Sequence, residues 1–184
     1  SCTFCNAFYY IKYFHNNNYY KEVNKYGGGT VVDQHQIIIV QYDSKYAEQT
    51  VKMWRNSKER AIGQKEIHSL KSHIYFLNHI LSSKFQIDLA FIEETVVGMI
   101  AYNETEISQL YVHIDYQGIG IGQLLLNKVK AQSSGKLTLY TFEVNKHAQQ
   151  FYEKNGFKII GRGHENEENL PDIQYEWNKE INDK

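Results

Sequence analysis

The chain has 184 residues, 42% of them hydrophobic and 22% charged, which is a globular composition long enough to bury one domain-sized core. Twenty basic residues against twenty-one acidic ones leave a formal charge of -1, so the concentrated positive face that a nucleic-acid backbone demands is missing. Apolar runs such as those at 37–40 and 124–126 fall far short of the roughly 20 residues of a membrane-spanning helix, and neither nucleic acid nor a membrane is expected as a partner.

Residues 1–36 differ from the rest. They are rich in Tyr and Asn, contain Asn16-Asn17-Asn18 and Gly27-Gly28-Gly29, and show no sustained period. The stretch reads as an N-terminal appendage of added or upstream origin. Its aromatic residues (Phe8, Tyr9, Tyr10, Tyr13, Phe14) suit packing on the domain or on a second subunit, which leaves a homodimer open. The two cysteines, Cys2 and Cys5, lie here without a second Cys or Cys/His pair to complete a zinc site, and they read as incidental thiols. With no disulfide framework and no recognisable secretory signal, the expected location is cytoplasmic.

From Ile37 to the end, residues 37–184, the pattern is that of one domain. A β-branched run at 37–41 predicts a strand. Asp43 or Ser44 caps a helix carrying Ala47, Val51 and Trp54 at helical spacing, and a second helix is predicted over 64–81 from Ile67, Leu70, Ile74, Leu77 and Leu81. Strands at 86–92 and 95–102 join through Glu93-Glu94 as a tight hairpin. A fourth strand spans 106–113, with Glu106, Ser108, Leu110 and Val112 on one face and Ile107, Gln109, Tyr111 and His113 on the other. An amphipathic helix over 121–132, a strand at 137–142, a helix at 145–155 closed by Gly156, and strands at 157–161 and 173–177 complete the chain. The order β-α-α-β-β-β-α-β-α-β-β is a mixed α/β layout, not an alternating doubly wound one.

The densest signal is Gln117-Gly118-Ile119-Gly120-Ile121-Gly122, between the fourth strand and a helix. Three alternating glycines let the backbone approach a ligand and bare successive N–H groups, and the following helix adds the positive end of its dipole. The arrangement suits phosphates. A dinucleotide fingerprint needs Gly three residues after its second Gly, but Gln123 follows Gly120 at that distance and Leu125 follows Gly122; a P-loop needs Gly-Lys-Ser/Thr, which is absent. The histidines give no metal site, because His68, His73 and His79 are spaced by five and six, and no metal is expected.

Leu110-Tyr111-Val112-His113-Ile114-Asp115-Tyr116 and the glycine run after it resemble the Q/R-x-x-G-x-G/A segment of the GNAT superfamily of N-acetyltransferases. Asn145-Lys146-His147-Ala148-Gln149-Gln150-Phe151-Tyr152-Glu153-Lys154-Asn155-Gly156-Phe157 resembles that family's N-x-x-A-x-x-F-Y-x-x-x-G-F segment. The resemblance runs from about residue 37 to 177 and departs at Ile114, where relatives often carry proline. It implies a mostly antiparallel central sheet flanked by helices and splayed between its fourth and fifth strands.

For function it implies transfer of an acyl group, most naturally acetyl from acetyl-CoA as co-substrate, to a primary amine on a small molecule or peptide, by direct attack in a ternary complex. In that family the donor's diphosphate sits on amides that correspond here to Gly118, Ile119, Gly120, Ile121, Gly122 and Gln123, with Gln117 shaping the turn. The pantetheine arm pairs with main chain at Leu110, Tyr111 and Val112, and the Leu110 N–H polarises the thioester carbonyl. Tyr152 is the implied general acid. Asn145 lies two helical turns from it, about 10 Å along the axis, and either binds the pantetheine or only caps the helix. Glu106, eleven residues before Gln117, is the implied base, with bulk water as the alternative. Glu165, Glu167 and Glu168 form an acidic loop suited to attracting a cationic amine. A non-catalytic acyl-CoA-binding module on the same fold stays open.

Overall fold

The computed structural model describes residues 37–179, so the appendage expected over 1–36, with Cys2 and Cys5, lies outside the described residues. The β-branched run forms β1 (Ile38–Gln41), which pairs antiparallel with β2 (Gln86–Ile92). From β2 the chain turns at Glu93, whose φ of 54 opens the hairpin to β3 (Thr95–Tyr102), and β3 pairs antiparallel with β4 (Ile107–Val112). Later in the chain β5 (Lys136–Phe142), β6 (Lys158–Gly163) and β7 (Asp172–Asn178) form a second antiparallel sheet, in the order β5-β7-β6. Between the two halves, β4 and β5 run parallel and meet only at the Glu106–Thr138 bridge, backed by Thr138 N–H donating to Thr105 O at 2.9 Å. Past that bridge no ladder joins them.

Helices cover both faces. Helix α1 (Ala47–Ile62) buries Val51, Met53 and Trp54 against Leu89, Met99 and Ala101 of β2 and β3, and Gly63 closes it with φ 71. It is followed by α2 (Leu70–Tyr75), a π-helical turn over Phe76–Leu81, and the short α3 (Ser82–Lys84). On the other face, α4 (Ile121–Gln132) and α5 (Lys146–Lys154) build the larger core. There Ile121, Leu125 and Val129 meet Val97 and Ile100 of the first half together with Leu137, Leu139 and Tyr175 of the second. Apolar packing therefore joins the halves where hydrogen bonds do not. Helix α4 comes down on β3 at Gly98, where a Cβ would lie 2.9 Å from Ile121 Cγ2 and 3.1 Å from Leu125 Cδ1. Only glycine leaves room for that approach.

Two local expectations are corrected. The helix expected over 64–81 begins only at Leu70, because Ser69 caps it by accepting from Ser72 N–H at 3.0 Å, and Ile67 stands 78% exposed. The preceding segment is held out of helix by Glu59, which accepts from the Glu66 N–H, and by the ion pair of Glu66 with Lys58. In β4 the strict alternation of faces fails as well. The register slips between Ala101 and Tyr102, so Ile107 enters the same core as Leu110 and Val112. Such a bulge inserts a residue and turns the strand.

Candidate functional site

The glycine turn stands at the open end of the split between the half-sheets. A single 3-10 turn over Ile114–Tyr116 leads into it, and Gln117 folds back so that its Nε2 donates to Val112 O at 3.1 Å. Gly118 and Gly120 take φ of 82 and 96, a region that L side chains rarely enter, and a Cβ at either would meet nothing within 4 Å. Backbone conformation, not crowding, demands glycine at these two positions. Gly120 is the N-cap of α4 and offers no side chain to the first-turn amides. The N–H groups of Ile121, Gly122 and Gln123 therefore remain without intrahelical acceptors, at the positive end of the helix. Ile121 is buried and anchors the turn on the core, whereas Ile119 is exposed.

Gly122 has a different reason. A Cβ there would lie 3.5 Å from Phe151 Cζ and 3.6 Å from Val112 Cγ2, so the first turn of α4, the end of β4 and α5 converge on it. Gln123 extends the junction by donating from Nε2 to Asn155 Oδ1 at 2.6 Å.

Along β4 the register decides which peptide groups face the split. His113 N–H donates to Val97 O at 2.8 Å, and Tyr111 lies opposite Met99, so alternation turns the peptide groups of Tyr111 toward β3. Leu110 and Val112 present theirs to the opposite side, where no ladder meets them. Of the three main-chain positions singled out, Leu110 and Val112 line the opening and Tyr111 does not. The Tyr111 side chain instead packs on Trp54, with ring centroids 5.9 Å apart.

Tyr152 is 7% exposed and sits among Phe151, Phe157 and Tyr175, with centroids 5.4, 5.6 and 6.1 Å away. Burial, and after it the Tyr111 phenol, push its hydroxyl above the ordinary tyrosine range. That hydroxyl has no hydrogen-bond partner among the described residues, and it is not one of the sealed, unpartnered polar atoms, which are Thr50 Oγ1, Trp54 Nε1, His73 Nδ1 and Asp88 Oδ1. Asn145 caps α5, its Oδ1 accepting from Ala148 N–H at 3.1 Å, which leaves its amide hydrogens for another acceptor. Glu106 is half-buried at the closed end of the split, at the opposite end of β4 from the glycine turn, where Asn103 Oδ1 accepts from its N–H at 2.8 Å.

The acidic loop is already partnered. Glu168 and Glu66 both grip Lys58, at 2.5 and 3.1 Å, and Glu167 meets His68 at 3.0 Å. Burial disfavours the charge on Lys58, but the hydrogen bonds to Glu168 and Glu66 outweigh it and hold the pKa above the ordinary lysine value. These links clasp the loop before β7 onto the segment after α1, around a cavity of about 230 Å³. Of the three carboxylates expected to attract a cationic amine, Glu168 is paired with the Lys58 ammonium and Glu167 with the His68 ring inside the chain.

Reading the sequence misses the clasp, because Lys58, Glu66 and Glu168 come from separate segments with no shared motif. It misses Ser57 too, whose Oγ donates to Val112 O at 2.9 Å; the available signal was a serine on the buried stripe of α1. Among the described residues no group of three or more His, Cys, Asp or Glu side chains is placed to hold a metal ion, and no helix is long and apolar enough to cross a membrane.

Residues 84–159 match the model of the acetyltransferase (GNAT) domain. A spermidine N(1)-acetyltransferase of Thermoplasma acidophilum is 28% identical over 133 residues, covering 64% of this chain and 73% of the relative. Among solved structures, a PaiA N-acetyltransferase from Thermoplasma acidophilum in complex with coenzyme A superposes with a TM-score of 0.60 at 23% identity, over 77% of this chain and 98% of that one. A GNAT-family acetyltransferase from Staphylococcus aureus Mu50 gives 0.63 at 24% identity, over 78% and 99%. The split mixed sheet with its flanking helices is the fold of these structures.

Proposed function

We infer that this chain, whose residues 84–159 match the GNAT acetyltransferase domain, belongs to the GNAT superfamily and transfers an acetyl group from acetyl-CoA to a primary amine by direct attack within a ternary complex. The observation that carries the reading is the turn at 118–123. Two glycines at positive φ and a helix start without a side-chain cap leave a row of amides unclaimed at the mouth of the split sheet. A diphosphate is the group such amides fit. The donor supplies the acetyl group as an activated thioester, and the chain holds and orients it.

In this reading the Leu110 N–H, free on the open side of β4, donates to the thioester carbonyl oxygen as negative charge gathers there, a contribution of a few kcal/mol to the barrier. The Tyr152 hydroxyl gives its proton to the departing sulfur; its lack of another partner leaves it open to that contact, and burial keeps it protonated until then. The proton lost by the amine passes to water or to Glu106. Asn145 steadies the pantetheine arm through its amide hydrogens while its oxygen caps α5. No cysteine stands among these residues, so no covalent acyl-enzyme enters the scheme.

The test is thiol release from acetyl-CoA across a panel of small-molecule and peptide amines, beginning with spermidine because a relative carries that name. Amine-dependent release with a stoichiometric acetylated product supports the reading. CoA binding without release for any amine points instead to a binding module, and absence of CoA binding removes the donor assignment.

A further inference from the structure

Val112 closes β4, and its carbonyl is the last main-chain acceptor of the strand before the glycine turn. Both acceptor directions of that oxygen are filled. Ser57 Oγ donates from α1 at 2.9 Å, and Gln117 Nε2 donates from the turn at 3.1 Å. On the other side of the same peptide, His113 N–H donates to Val97 O of β3 at 2.8 Å. One peptide unit, 112–113, is thus held from three directions by a helix, a strand and the turn that follows it.

Ser57 is 4% exposed and lies in a stripe with Val51 and Trp54, where an apolar side chain would pack as well. Its neighbour in the stripe, Thr50, leaves its own hydroxyl oxygen unpartnered, so the helix does not satisfy every hydroxyl it buries. A buried hydroxyl aimed at this carbonyl has its consequence at the carbonyl.

We infer that Ser57 is a positioning residue of the donor site: with Gln117 it fixes the 112–113 peptide, so that the amides of the glycine turn are pre-aimed and the donor's arm pairs with the Leu110 peptide and the Val112 N–H but not with Val112 O. The inference rests on the acetyl-CoA reading and goes beyond it, because Ser57 lies on α1, outside both motif segments. Pre-aimed amides bind without reorganising, so loss of the anchor weakens binding of the donor and not of the acceptor.

Calorimetric titration of CoA into the folded protein tests this, with steady-state kinetics beside it. In Ser57→Ala the CoA Kd and the acetyl-CoA KM rise roughly two- to tenfold, the range of one net hydrogen bond, while the acceptor KM stays at its wild-type value. Ser57→Thr, which keeps the hydroxyl, restores most of the affinity. Because Gln117 shares the same oxygen, Gln117→Ala combined with Ser57→Ala raises Kd by more than the product of the two single effects. Unchanged CoA affinity in Ser57→Ala, equal loss in the Ala and Thr variants, or a strictly multiplicative double variant each overturns the inference. Should Ser57→Ala not fold, Ser57→Cys, which keeps a weak donor of similar size, takes its place with an intermediate Kd expected and a wild-type Kd overturning it. Failure of the wild-type protein to bind CoA would sink the donor reading itself and this inference with it; wild-type binding with indifferent variants would sink this inference alone.

Discussion

Tyr152 keeps its proton because burial, and then the nearby Tyr111 phenol, disfavour a phenolate. A hydroxyl held above the ordinary range remains a proton donor throughout neutral and mildly alkaline solution, so turnover should show no loss from this group between about pH 7 and pH 10. In Tyr152→Phe, kcat is expected to fall by roughly 10²–10⁴ while calorimetry shows CoA binding retained; unaltered turnover at saturating acetyl-CoA would take Tyr152 out of the chemistry. His73 makes the opposite kind of prediction. It is 7% exposed, its Nδ1 is unpartnered, and it packs edge-on against Trp54 with centroids 4.3 Å apart. Burial first, with Arg55, Lys58 and His68 adding to it against the pull of Glu66, lowers its pKa from 6.5 to about 4. The folded state therefore refuses a proton that the unfolded chain accepts. That contribution is complete above about pH 6.5 and is lost as the pH falls toward 4, up to about 3 kcal/mol in all. Urea unfolding at pH 7 and pH 5 should show the decline, and His73→Phe should flatten it.

At the scale of elements, the glycine turn and the helix after it were legible because each needs only local chemistry: missing side chains, a strand before and an amphipathic stripe behind. Gly120→Ala should cost about 1–2 kcal/mol through its φ of 96 alone, since nothing crowds the site, and CoA affinity should fall with it. Equal stability and affinity would mean that the turn relaxes without loss. The segment between Gly63 and Ser69 was not legible. Ile67 fell on the apolar period of the next helix, yet Glu66 is held in place by Lys58, which Glu168 of a distant loop also grips, an arrangement made only after the chain has folded. The bulge in β4 escaped for a similar reason, since alternation in one strand says nothing about a slip against its neighbour. The clasp gives an internal comparison. Lys58→Ala leaves the Glu66 carboxylate, whose side chain is 3% exposed, without its cation and should cost roughly 3 kcal/mol in urea unfolding. His68→Ala breaks a pair whose side chains are 50% and 75% exposed and should change stability by less than about 1 kcal/mol.

Across the whole molecule, the order of elements followed from strand and helix periods, whereas the break after the fourth strand was implied only by the family resemblance of the two motif segments, and the observed sheets agree with both. Which residues meet across the break did not follow. Phe151 beside Gly122, Gln123 on Asn155 and Ser57 on Val112 are contacts between segments far apart in the chain, set by how two half-sheets settle on a shared core. The cost and use of that arrangement lie together. The core that spans the break supplies cohesion, while the break leaves strand edges for a ligand to satisfy.

The lone Glu106–Thr138 bridge has a further consequence for the covalent chain. Every strand finds its ladder partners on its own side of the break, and the chain crosses from α4 to β5 through Ser133 to Gly135, a short connection at the surface. A nick there severs no strand pairing; it removes only a tether. Two separately expressed pieces, ending and beginning near Ser134, should reassemble on mixing into a species with native circular dichroism, driven by the apolar face each leaves uncovered. Pieces that stay apart at micromolar concentration would show that the tether, and not the buried face, keeps the two sheets together.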